Sequence, residues 1–480
     1  MSERYDVVVV GGGTAGCVVA SRLSEDAART VCLLEAGPDY GPVDSGRWPE
    51  DLLDPRALAF SHDWGTGGED NRSLGARVIG GCSTHNACLV LEGTPADYDE
   101  WGAEWSHESF APYLDRARST LRTTIANTER PAPFHSAFIA AAQTVGMPLL
   151  VDPDDPGEPV GVSAGPANVV AGARWNAAFA YLDPARARPN LTVLGDSLVE
   201  RVLLQGSRAI GVLLADGRRL DAKTVVLAAG AYFTPAILLR SGIGPEPELQ
   251  RHGIPLAVAL PVGERLLDHC GSGIAWAPTA ELHNLTAEHV REHGPLFEPH
   301  AVLRAASSVC PTGTWDIHLL SWTNPVRETN DRYEVSCGCF HMKPLSVGRV
   351  RLRSTDAADL PEVERGFLRR PEDSTVIVEA LELARTLAAA EPLRTLLARE
   401  LTPGERDLEE HVAATVRNYF HPAGTCAIGE VTDADGHVLD TDGLLVADAS
   451  LMPTIPRANT NLTTTAIAER IAARIAVNGT

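Results

Sequence analysis

Gly11, Gly13 and Gly16 stand in the GxGxxG register, and an acid, Glu35, arrives 19 positions after the last glycine. That spacing suits recognition of a dinucleotide. Gly11 permits a tight turn, Gly13 lets the main chain approach a pyrophosphate, and Gly16 lets a helix pack closely on a strand. The helix N-terminus then faces the phosphates, while Glu35 accepts from a ribose hydroxyl. The motif alone does not separate FAD from NAD. A glycine-rich turn with no ligand is the plain alternative.

The elements that must position these residues appear in order. Residues 5–10, Tyr-Asp-Val-Val-Val-Val, form a β-branched run of the kind buried on both faces of a sheet. Residues 17–23 read as a helix and 30–35 as a second strand, which completes a βαβ unit. Residues 191–194, 198–204, 209–214 and 224–229 read as further strands, parted by turns such as Asp216-Gly217. Residues 375–390 and 462–477 repeat apolar positions every three to four residues and predict helices. The second ends at Asn478-Gly479, a stop signal. Residues 152–157 form a loop, and 280–300 read as a polar, His-rich loop.

Composition narrows the function classes. The 480 residues suffice for about two to four domains. With 63 acidic against 41 basic residues the net charge is -22, which repels nucleic acid and anionic membranes. No apolar run is long enough for a membrane span, and the charged N-terminus lacks the features of a signal peptide. Nine cysteines, sparse and odd in number, predict free thiols in a cytoplasmic protein. Cys17, Cys32, Cys82, Cys88 and Cys426 sit in apolar or Gly-rich contexts, as buried thiols do. Cys337 and Cys339 point to one face of a strand, but no second pair stands at ligand spacing, so no metal site is expected. The basic residues are nearly all Arg, with only Lys223 and Lys343, which marks a GC-rich coding sequence of bacterial type.

Four later segments carry a wider pattern. They are Arg77-Val-Ile-Gly-Gly-Cys-Ser-Thr-His-Asn86; Ala228-Ala-Gly-Ala-Tyr-Phe-Thr-Pro235 with Leu266-Leu-Asp-His269; Met342-Lys-Pro-Leu-Ser-Val-Gly-Arg349; and His421-Pro-Ala-Gly-Thr-Cys426 with Leu445-Val-Ala-Asp448 and Ala458-Asn-Thr-Asn461. Together they resemble the glucose–methanol–choline family of FAD-dependent alcohol oxidoreductases, in order along nearly the whole chain. The resemblance implies an α/β, Rossmann-like FAD-binding domain from 1–101, 190–270 and 416–480. An α+β substrate domain with an antiparallel sheet then comes from 102–189 and 271–415. It implies FAD contacts at Gly11, Gly13, Gly16, Glu35, Val199 and Asp448, with Gly80, Gly81 and Asn86 near the flavin ring. Val199 would hold the adenine through its main chain, and Asp448 would approach the pyrophosphate or ribityl region.

The same resemblance implies the chemistry. His421 takes the hydroxyl proton of an alcohol while hydride leaves for flavin N5, because an alkoxide is the better hydride donor and a near-neutral base suits the task. Asn459 sits opposite and supports the developing charge; Asn461 competes for that role. The run Leu462-Thr-Thr-Thr-Ala466 lacks the Pro often found there, which leaves the start of the last helix open. His85, in Gly80-Gly-Cys-Ser-Thr-His-Asn86, is similar to the choline-oxidase branch, where a His is bonded to the flavin; a hydrogen-bonded, non-covalent His is the alternative. A cationic substrate would want a carboxylate and aromatic faces, for which Glu298, Trp315 and Trp322 are candidates. Glu298 and His300 would belong to a lid or to a plain surface loop. The implied partners are a small alcohol and oxygen, yielding hydrogen peroxide. A dehydrogenase with a quinone or protein acceptor is the alternative, and a lyase with structural FAD, in which His421 serves a cyanohydrin, a further one.

Overall fold

Two seven-stranded sheets dominate the computed structural model, which describes residues 3–56, 58–59, 61–64, 75–125, 131–155, 157–294, 301–325 and 333–478. In the first, Leu191–Leu194, Val31–Leu34, Glu3–Val10 and Arg219–Leu227 run parallel in that order. Arg208–Leu214 and Val199–Gln205 continue it antiparallel. The far end of Arg219–Leu227 pairs with a strand from the other end of the chain, Leu444–Val446. Val7, Val8 and Val9 are fully buried, as a β-branched run covered on both faces requires. The strands expected from the sequence all form, most within a residue or two, while the one expected over 224–229 starts five residues earlier, as Arg219–Leu227.

The helix Thr14–Leu23 crosses between the first two strands and packs on the C-terminal helix Thr460–Asn478. Arg22 clasps Glu469 with two hydrogen bonds of 2.9 and 2.8 Å across that contact. The helix without its Pro starts cleanly: Thr465 Oγ1 donates to the Asn461 carbonyl at 2.8 Å within the first turns.

The second sheet is antiparallel throughout, in the order Leu397–Thr402, Cys270–Pro278, Tyr333–His341, Ile317–Pro325, Ala301–Ala305, Gly161–Ala164. Arg417–Asn418 also pairs with Cys270–Pro278. Helix Pro371–Ala388 covers one face, burying Ile377 and Leu381 against Ile274, Leu319, Cys337 and Cys339. Both cysteines therefore do share a face, in the core. The opposite face is left to a cavity.

Three expectations change. Residues 280–293 are a helix, Ala280–His293, capped by Thr279. Its buried stripe is carried by Leu282 and Thr286 among polar neighbours, too few apolar residues to register as a period. Glu298 and His300 lie outside the described residues. Trp315 is buried in a small core cluster rather than offered to a ligand, whereas Trp322 does line the cavity. Cys82 is not buried: it opens onto the cavity because the loop around it forms the wall. Among the described residues no helix is long and apolar enough to cross a membrane.

One buried carboxylate joins distant segments. Asp97, in helix Pro95–Asp99, is fully buried. It accepts from Arg457 Nη1 at 2.5 Å, the Arg457 main-chain N–H at 3.0 Å, Lys343 Nζ at 2.9 Å and both donors of Thr94. Burial pushes its pKa up, but the charges of Lys343 and Arg457 outweigh this and hold it below the usual carboxylate range. Breaking a buried pair strands the remaining charges, at a cost of about 3–5 kcal/mol. Asp97→Asn should therefore lower the thermal midpoint by several degrees. The folded-state pKa is depressed, so the deficit should be full above pH 4 or so and shrink below it. A melting series in pH checks both.

Candidate active site

One cavity of about 1380 Å³ runs between the two sheets. At one end it is bounded by Glu35 and Val199, in the middle by Gly13 and Thr14, and at the other by His85, Asn86, His421 and Asn459. Of the residues singled out in the sequence, Gly11, Gly13, Gly81 and Asp448 line it too, while Gly16 and Gly80 do not.

The glycines act by exclusion. Gly11 has φ 98°, and a Cβ there would meet the Ala228 carbonyl at 2.6 Å; one on Gly16 would meet the Gly11 carbonyl at 1.8 Å. Gly13 has open space, with only Gly81 Cα at 3.7 Å. It precedes the helix Thr14–Leu23, and no side chain caps that N-terminus. Free N–H groups, a partial positive charge and a bare main chain therefore face the cavity, which is what a pyrophosphate needs. Gly81 lies so close to Gly13 that a Cβ would be 2.6 Å from its Cα, and the Gly80 N–H donates to the Gly12 carbonyl at 2.7 Å. The two glycine loops form one wall.

Glu35 and Asp448 are both buried, and burial raises both pKa values. Glu35 accepts from the N–H groups of Gly12 and Gly37, each at 2.8 Å. One lone pair on each oxygen stays available toward a ribose. Asp448 is different. Its oxygens take four donors: the Gly230 N–H (2.8 Å), Thr234 Oγ1 (2.6 Å), the Ser450 N–H (2.8 Å) and Ser450 Oγ (2.5 Å). Its carboxylate is saturated by protein and clamps two loops together, so only its main chain remains for a ligand. Asn86 Oδ1 accepts from the Cys88 N–H at 3.0 Å. His85 donates from Nε2 to the Ser61 carbonyl at 2.6 Å, which leaves the lone pair on Nδ1. A long groove with an uncapped helix N-terminus at its centre and a buried acid at one end fits FAD.

At the far end the hydrogen bonds fix a proton order. Pro456 O can only accept, so His269 Nε2, 3.0 Å away, carries a proton. Deep burial depresses the His269 pKa and keeps the ring neutral, so its Nδ1 is a lone pair. His421 Nδ1, 2.8 Å from it, must then donate. His421 is also neutral, its pKa lowered to about 3 by burial. Its Nε2 is therefore a bare lone pair, and it receives Asn459 Nδ2 at 3.2 Å. Asn459 Oδ1 has no partner among the described residues. The arrangement can take a proton at Nε2 and hold an oxyanion at the Asn459 amide. Asn461 instead meets Thr14 Oγ1 at 3.3 Å, toward the first glycine loop.

His269 and Asp268 went unassigned in the sequence, although both lie in a segment quoted for its pattern. Asp268 Oδ1 accepts the His421 main-chain N–H at 2.9 Å, and burial raises its pKa to about 7. An Asp-His pair immediately before a strand, in a chain with a second motif His, was the available signal. Phe420, just before His421, takes φ 62°, a conformation uncommon for a large side chain.

Comparison with known proteins identifies the family. The GMC oxidoreductase family matches residues 5–271 with its N-terminal part and 344–468 with its C-terminal part. Human mitochondrial choline dehydrogenase is 32% identical over 98% of this chain and 89% of its own. The 5-(hydroxymethyl)furfural oxidase of Methylovorus sp. (strain MP688) is 32% identical over 98% of each chain. The crystal structure of pyridoxine 4-oxidase from Mesorbium loti superimposes with a TM-score of 0.85 at 28% identity, over 98% of this chain and 99% of that one. With both family parts and whole-length relatives in place, the chain belongs to the GMC oxidoreductases, FAD-dependent enzymes that act on CH–OH groups.

Proposed function

We propose that the protein is an alcohol oxidase in which His421 is the base and Asn459 the oxyanion partner, with oxygen as the final acceptor. The observation that carries this reading is the bare Nε2 of a neutral His421 facing Asn459 in the cavity. FAD, when bound, supplies the acceptor for hydride. The substrate hydroxyl enters between the two side chains, donating to His421 Nε2 and accepting from Asn459 Nδ2. As its proton moves to Nε2, Asn459 holds the developing negative charge. The imidazolium keeps its Nδ1–H on His269, so His269 is a positioning residue that fixes which nitrogen is the base. Gly11, Gly13, Gly16, Glu35 and Val199 would hold the dinucleotide, and Gly80, Gly81 and Asn86 would bound the flavin. We keep the division into an FAD part and a substrate part proposed from the sequence. The nine free thiols support a reducing, cytoplasmic setting.

An anaerobic alcohol screen tests the reading. Primary and secondary alcohols should bleach the flavin, and air should restore the colour with an equivalent of peroxide. A flavin that stays bleached in air would make the enzyme a dehydrogenase with another acceptor. His421→Gln should slow bleaching about 10²–10⁴-fold. His269→Phe should slow it less and leave KM nearly unmoved.

The pH profile has a separate origin. His421 stays neutral down to acid pH, but Asp268 becomes charged as pH rises through about 7. A carboxylate at the root of His421 favours the developing imidazolium, so kcat/KM should rise through that range. Asp268→Asn should flatten the profile; an unchanged limb would assign the ionisation elsewhere.

For His85 we propose attachment to the flavin, through Nδ1 or at the expense of the Ser61 bond. Acid-precipitated protein should keep its yellow colour, and His85→Ala should release it to the supernatant.

A further inference from the structure

Arg417 is a cation in the same cavity. It lies on the short strand Arg417–Asn418 and lines the space shared with His421. Among the described residues no acceptor or carboxylate meets its guanidinium, although the chain carries 63 acidic residues. Its side chain is solvent-exposed where it borders the cavity, and partial desolvation by the surrounding protein lowers its pKa.

The sheet register places it. Gly271 faces Arg417 on one side and Phe340 on the other. The guanidinium reaches along the strand over Gly273, with Nη2 3.6 Å from where a Cβ would sit. Gly273 is four residues beyond His269, about 13 Å of strand, and His269 touches His421 at 2.8 Å. The positive head thus stands on the order of 10 Å from the reacting hydroxyl. Between them Phe340 stacks on Tyr419 at 3.8 Å, and the Tyr419 ring is 4.3 Å from that of His421. Glu334 also lines the cavity, but it is four residues along the strand from Gly338, the partner of Gly273, about 13 Å away.

We propose that Arg417 is a subsite for the oxyanion of the substrate, so that the preferred alcohols are hydroxy carboxylates with the two groups about 10 Å apart across an apolar middle. This rests on the alcohol-oxidising reading above and names its substrate class. The planar fork of Arg matches a carboxylate with two parallel hydrogen bonds. Gly273 leaves the floor bare beneath the fork, Phe340 packs over Gly271, and the aromatic pair covers the chain between the two polar ends. A cationic alcohol would meet the wrong charge there.

The test uses the FAD-loaded enzyme. Anaerobic bleaching is compared for an ω-hydroxy octanoate and its methyl ester, in wild type and Arg417→Met. The wild type should favour the acid by about 10–100-fold in kcat/KM, the worth of one charge-assisted pair. In Arg417→Met that ratio should fall at least tenfold, with Arg417→Lys intermediate. A wild-type ratio near one, or a ratio unmoved by both substitutions, overturns the proposal. Octanoate and octanamide are titrated alongside, read by the flavin difference spectrum, which needs no turnover. Octanoate should bind wild type more tightly than octanamide and lose that advantage in Arg417→Met; equal binding overturns the subsite. If neither alcohol bleaches the flavin, the alcohol-oxidising reading fails on its own, and the octanoate titration still decides Arg417.

Discussion

The fully buried carboxylate of Asp97 holds the reactive end of the molecule in place. Its donors come from its own helix, from Lys343 beside the second sheet and from Arg457 near the C-terminus. Lys343 also donates to the Ile455 carbonyl at 3.1 Å. Residues 455–457 are thereby fixed on both sides. Pro456 in that stretch accepts from His269, and Asn459 follows three residues later. A chain of contacts leads from one buried charge to the position and protonation of His421.

The polar groups at the two ends of the cavity are handled oppositely. Around His421 every ring is buried and neutral, and direction comes from which nitrogen holds the proton rather than from charge. Around the glycine loops the field comes from main-chain dipoles, with Glu35 and Asp448 pinned by N–H and O–H donors. Neither end relies on an exposed ion pair, which water and salt would weaken. A buried acceptor left without its donor is costly, so each network constrains the loops that contribute to it.

The βαβ unit was legible because its signals are local: a β-branched run, three glycines and an acid at fixed spacing. The pair His421 and Asn459 was legible through a pattern of motifs. The partners were not. His269 matters because a carbonyl 187 residues away accepts from it, Asp97 because Arg457 lies 360 residues on. Asp448, expected at the cofactor, does line the cavity, but its carboxylate is filled by Ser450, Thr234 and Gly230. The helix Ala280–His293 was hidden because tertiary contact, not an apolar stripe, makes it helical.

The strand Leu444–Val446 joins the first sheet beside a strand more than two hundred residues earlier. Synthesis toward the C-terminus presents the glycine motif long before that neighbour exists. The groove for the dinucleotide lacks one wall until helix Thr460–Asn478 has left the ribosome. A complete groove therefore needs segments from both ends of the described chain at once.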